Sequence, residues 1–113
     1  MKAGNAALEG TPMGKKTLSK TGIKKELESL NGWKHRADAL HRTLEFADFR
    51  EAISFLVRIA FDAEEADHHP DVTINYRRLK FSLSTHSEGG VTEKDFALAR
   101  KIDKAFAKRQ PQA

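Results

Sequence analysis

Three of the five histidines in this chain, His68, His69 and His86, stand close together, in a run that begins Glu64-Glu65-Ala66-Asp67-His68-His69-Pro70 and continues to Tyr76, His86 and Asp95. Imidazole is the side chain whose unperturbed pKa lies nearest neutrality, so a concentration of it points to proton transfer or metal ligation ahead of packing. Glu64 and His68 are four residues apart, a spacing that on a helix lets the carboxylate reach and orient the ring. Neighbouring imidazoles repel one another's protons, so a group of three can hold an acceptor beside a donor. That is the equipment of general acid-base catalysis.

A metal is the main competitor, since His68, His69 and His86 with Glu64 or Asp67 would make a three-histidine site. Adjacent ligands such as His68 and His69 point apart, however, and the HExxH spacing that puts two histidines on one helical face is absent, so no metal is expected. Ser82, Ser84 and Ser87 lie near His86, yet none sits in a nucleophile elbow or a Gly-flanked turn. The structural alternatives are that His68-His69 caps the carboxyl end of a helix, where the dipole is negative, and that Asp95 is an ordinary first-turn acid of another. On the same view Tyr76 and Trp33 are core aromatics, and His35 and His41 are surface or structural residues.

The elements that must position these groups follow from periodicity. Ile23, Leu27 and Leu30 recur at spacings of four and three, which predicts a first helix over 19–30 with Asn31-Gly32 as its stop. Leu40, Arg42, Leu44 and Phe46 alternate with His41, Thr43 and Glu45, the period of a half-exposed strand, and a shorter strand over 33–36 turns into it through 37–39. Asp48 with Glu51 resembles a capping box, and Phe49, Ile53, Leu56, Ala60 and Ala63 then mark the apolar face of a long second helix ending near Ala66. Pro70 fixes that boundary, because the residue before a proline is pushed out of the helical region. Residues 71–76 and 79–85 read as a strand pair, with Leu79, Phe81, Leu83 and Thr85 on one face and His86 ending the polar one. Thr92 with Asp95 caps a third helix whose stripe is Phe96, Ala99, Ile102 and Phe106. The order α-ββ-α-ββ-α predicts an α+β two-layer domain: a four-stranded antiparallel sheet with three helices packed on one face and a polar face left open.

The 113 residues suffice for one core, placed over 15–109 between a flexible, glycine-containing leader at 1–14 and a tail at 110–113. Without cysteine there is no disulfide framework and no thiolate chemistry, which suits a reducing cytoplasm. No apolar run approaches the roughly 20 residues that span a bilayer. The net charge of +4 resides largely at the two ends, in scattered lysines on either side of a balanced middle, so direct nucleic-acid binding is not indicated.

Taken together, Glu64, three residues, His68-His69-Pro70, five residues, Tyr76, nine residues, His86, eight residues and Asp95 resemble the signature of the pterin-4a-carbinolamine dehydratase family. Leu83-Ser84-Thr85-His86 and Gly89-Gly90-Val91-Thr92 agree with it, and the resemblance spans residues 31–106. It implies a hydro-lyase that dehydrates 4a-hydroxytetrahydropterin (4a-hydroxytetrahydrobiopterin) to quinonoid dihydropterin, in pterin recycling, without metal or prosthetic group. By position, His68 and His86 resemble the acid-base pair, His69 the residue that positions the pterin, Asp95 a ligand-contacting or orienting carboxylate, and Glu64 the group that steadies His68. The family fold is a four-stranded antiparallel sheet with three helices on one side, associated as homodimers or homotetramers. One departure is Val72-Thr73, where family members often carry an aromatic. The resemblance also implies an alternative, a non-catalytic protein-binding module on the same fold, because some relatives also act as dimerisation cofactors for a transcription factor and others lack the dehydratase residues and assist other proteins.

Overall fold

The computed structural model describes residues 17–109, so the leader expected at 1–14 and the tail at 110–113 lie outside the described residues. The elements run α1 (Lys20–Leu27), β1 (Lys34–Arg36), β2 (Ala39–Glu45), α2 (Phe49–Ala66), β3 (Asp71–Asn75), β4 (Arg78–Leu83) and α3 (Glu93–Lys108). All strand pairs are antiparallel, in the spatial order β1-β2-β4-β3. This is the α+β architecture with three helices that the periodicities imply.

Local chemistry accounts for most of the boundaries. Ser19 starts α1 by accepting the Gly22 N–H at 3.1 Å, as an N-cap does. The helix is shorter than the expected 19–30 because Glu28, Ser29 and Leu30 each donate three residues back, which tightens the last turn. Ala37 and Asp38, with φ of 51° and 60°, form a two-residue turn between β1 and β2, and the positive angles match the twist of the paired strands. Across β2 and β4 the pairs Leu40–Leu83, Arg42–Phe81 and Leu44–Leu79 face the helices, while Thr43 and Lys80 face solvent. The period-two pattern thus decides which side carries the helical layer.

The second helix departs from the sequence expectation. Its buried face is Ala52, Phe55, Ile59 and Ala63, whereas Phe49, named as core, is half exposed and Ala60 is exposed. The apolar arc of α2 is wider than the core needs, and the core takes the side on which Phe55 packs against Phe46 (5.1 Å between centroids), Phe106 (6.0 Å) and Phe81 (6.4 Å). A second apolar stripe of Phe49, Val57 and Phe61 is left outside, and Phe61 is 73% exposed. On α3 the expected residues Phe96, Ala99 and Ile102 are buried, and Phe106 packs against the core edge-on to Phe46. Trp33 is a core residue as anticipated, but Tyr76 is not: it is 63% exposed, with φ of 56°, in the turn between β3 and β4.

Candidate active site

The two adjacent histidines are delivered by the way α2 stops. Asp67 adopts the left-handed conformation (φ 52°); its N–H donates to the Glu64 carbonyl at 3.1 Å, and the His68 N–H reaches back to the Ala63 carbonyl at 3.0 Å. Those two bonds form a Schellman motif, which satisfies terminal carbonyls and reverses the chain. The helix therefore ends at Asp67 and not through Pro70, and the proline follows a stop already made.

Because the chain has left the helix before His68, the four-residue spacing from Glu64 does not produce the expected contact. Glu64 Oε1 instead lies 2.8 Å from His69 Nε2, in a pair exposed at the rim. His68, with its side chain only 11% exposed, turns inward and places Nε2 2.6 Å from Asp95 Oδ1. Asp95 is fully buried, so its reach is to His68 and not to a ligand. Its other oxygen, Oδ2, accepts the Thr85 hydroxyl at 2.9 Å and the Thr92 N–H at 2.9 Å, the latter being half of the capping box that begins α3. Three donors on one buried carboxylate satisfy it without water. With Nε2 committed to Asp95, the other ring nitrogen of His68, Nδ1, is the one available to a guest.

The third histidine reaches the same place by another route. Strand β4 ends at Leu83, so His86 opens a single 3-10 turn, His86–Glu88, and does not stand at the end of a strand. An isolated bridge between Thr85 and Gly90 closes the loop behind it. Asp67, His68 and His69 from the end of α2, Ser84 to Ser87 from this loop and Lys94 from the first turn of α3 line one open pocket of about 340 Å³. Ser84 is already engaged, since its hydroxyl donates to the Asp38 carbonyl at 3.0 Å. Tyr76 lies at the far end of the β3–β4 hairpin and takes no part, and neither Val72 nor Thr73 lines the pocket.

Two contributors escape a search for chemistry-bearing residues. Thr85 was legible only as the inward-facing member of the alternation Leu79, Phe81, Leu83, Thr85, a hydroxyl in a row of apolar side chains. Lys94 carried no signal beyond its place beside Asp95. A cavity of similar size, about 350 Å³, lies at the amino end of α2, but it contains no histidine. Its acids are occupied: Asp48 accepts the Glu51 N–H, and Glu51 accepts Ala47 N–H and pairs with Arg109. Among the described residues no group of three His, Asp or Glu side chains is placed to hold a metal ion, and no helix is long and apolar enough to cross a membrane.

Comparison with known proteins gives a consistent picture. Residues 16–105 match the family model described as pterin 4 alpha carbinolamine dehydratase. A protein of Thermomicrobium roseum, provisionally named a pterin-4-alpha-carbinolamine dehydratase, is 54% identical over 76 residues, which cover 67% of this chain and 82% of the relative. One of Sulfolobus acidocaldarius with the same provisional name is 47% identical over 87 residues, covering 77% and 96%. Among solved structures, the transcriptional coactivator/pterin dehydratase from Brucella melitensis superposes with a TM-score of 0.77 at 37% identity, over 79% of this chain and 97% of that one. A pterin dehydratase-like protein identified as a RuBisCO assembly factor in the alpha-carboxysome shares the fold, with a TM-score of 0.54 at 20% identity over 65% and 84% of the two chains.

Proposed function

Because the chain belongs to the pterin 4 alpha carbinolamine dehydratase family, we propose that it dehydrates 4a-hydroxytetrahydropterin to quinonoid dihydropterin, in the recycling of a tetrahydrobiopterin-type cofactor. The observation that carries the reading is the convergence of His68, His69 and His86 on one pocket, with His68 braced by a buried carboxylate. The elimination needs a proton removed from N5 and another delivered to the oxygen leaving C4a. His68 is the base. Its Nδ1 takes the N5 proton while Asp95 holds Nε2–H and balances the imidazolium that forms. The N5–H electron pair becomes the N5=C4a double bond, the C4a–O bond breaks, and protonated His86 supplies the proton that makes the departing hydroxide water. In an open pocket the two rings return to their starting states by exchange with solvent. His69, tethered to Glu64 at the rim, positions the bicyclic ring, and Lys94 adds a positive charge to the pocket wall. The test is turnover of synthetic 4a-hydroxytetrahydropterin. Dehydration well above the uncatalysed rate is expected, and a rate equal to buffer alone overturns the reading.

The outer stripe of α2 supports a homodimer or homotetramer, since Phe49, Val57 and Phe61 together leave an apolar surface that a second copy would cover. Phe61→Asp is expected to lower the assembly's mass in sedimentation while circular dichroism stays unchanged. A wild-type monomer would defeat this assignment. The same stripe favours the alternative reading, a protein-binding module without turnover, and the dehydration assay separates the two.

A further inference from the structure

We propose that Thr85 is the positioning residue that sets both working histidines, a role that rests on the dehydratase reading for its effect on turnover but not for its effect on ring geometry. Thr85 is buried, and its two ends do different things. Its backbone builds the loop that presents His86: the N–H donates to the Gly90 carbonyl at 2.9 Å, and the carbonyl accepts the Glu88 and Gly89 N–H groups at 2.9 and 3.0 Å. Its hydroxyl donates to Asp95 Oδ2 at 2.9 Å, and Asp95 in turn holds His68.

The direction of the hydroxyl chain is fixed by counting protons. A threonine hydroxyl has a single hydrogen, and that of Thr85 is spent on Asp95. The 2.7 Å contact between Thr85 Oγ1 and Thr92 Oγ1 must therefore be donated by Thr92, whose oxygen accepts the Lys94 N–H at 3.2 Å. The chain runs one way, from the Lys94 N–H through Thr92 and Thr85 to Asp95. With the Thr92 N–H also on Oδ2, that oxygen is saturated from the protein side, and Oδ1 is left to receive His68 Nε2–H. The Asp95 carboxylate, which can only accept, dictates the His68 Nε2–H tautomer; the Thr85 hydroxyl fixes where that carboxylate points, while the Thr85 backbone places the partner ring.

Valine has the shape of threonine without the hydroxyl, and serine restores the hydroxyl without the methyl. Nitrogen-15 NMR of the imidazole side chains in the whole protein reads the His68 Nε2–H and its exchange with solvent directly. The wild type and Thr85→Ser are expected to show a His68 Nε2–H proton protected in its bond to Asp95, and Thr85→Val to lose that protection as the carboxylate turns. In turnover, Thr85→Val is expected to lose about 10–100-fold in kcat with KM little changed, the usual scale for groups that orient a working ligand, and Thr85→Ser to stay within about threefold. A protected Nε2–H or a wild-type kcat in Thr85→Val overturns the inference. Should Thr85→Val not fold, Thr85→Ala, smaller and also without the hydroxyl, is read in its place with the same outcomes. If the wild type shows no dehydration, loss of the protected Nε2–H in the variant still upholds the positioning role, and its retention removes it.

Discussion

Helix α3 carries two aspartates that reach toward the rest of the fold, and they differ in the company they keep. Asp95 and Asp103 are eight residues apart, about 12 Å along the axis. Asp103 Oδ1 accepts the Trp33 indole N–H at 2.7 Å and pairs with Arg42 Nη1 at 2.5 Å, and the Arg42 guanidinium lies over the Phe106 ring. Indole and guanidinium keep their protons in any working protein, so this network joins α3 to β2 and to the segment before β1 without offering a proton. Asp95 holds one partner whose proton can leave, His68, and two that cannot, the Thr85 hydroxyl and the Thr92 N–H. The same acid on the same helix is a clamp in one place and a brace for an imidazole in the other, and the difference lies wholly in the donor.

The largest test of that contrast is His68→Ala, expected to lower kcat by about 10²–10⁴ while the melting curve keeps its cooperativity. Wild-type turnover in this variant would reduce Asp95 to a second clamp. Next comes Asp95→Asn, which keeps the volume but offers an amide where His68 needs an acceptor. Its kcat is expected to fall about 10–100-fold, while Asp103→Asn stays within about threefold per folded molecule, and equal losses in the pair would erase the distinction. The converse measurement is stability. Asp103→Ala strands a partly buried guanidinium and an indole N–H, so denaturant titration is expected to show a loss of about 2–3 kcal/mol. A loss of turnover without that destabilisation would mean the clamp also does chemistry.

How much of this was legible in the sequence depends on how far each signal reaches along the chain. The caps at Asp48 and Thr92, the alternation through Leu40 to Phe46 and the stripe of α3 are local, and the structure keeps them. Periodicity alone does not give the buried face of α2, because apolar residues surround more of that helix than one core can cover, and the aromatic partners Phe46, Phe81 and Phe106 decide which arc turns inward. The four-residue spacing does not give the partner of Glu64, because the helical rule lapses once Asp67 reverses the chain. Period two continues through Thr85 and so predicts a strand end at His86, where the Gly90 bridge and the 3-10 turn take over. The histidine set was readable, whereas the hydroxyl behind it is a matter of three-dimensional contact.

Asp67 has one more consequence, for anyone who would make the protein hardier. A side chain in the left-handed region costs about 1–2 kcal/mol, which glycine avoids, so selection for heat tolerance alone favours Asp67→Gly. Yet this residue is the swivel between a rigid rod and the imidazole pair, and glycine would let it turn. If turnover rests on the placement of that pair, Asp67→Gly is expected to raise Tm and to slow kcat together.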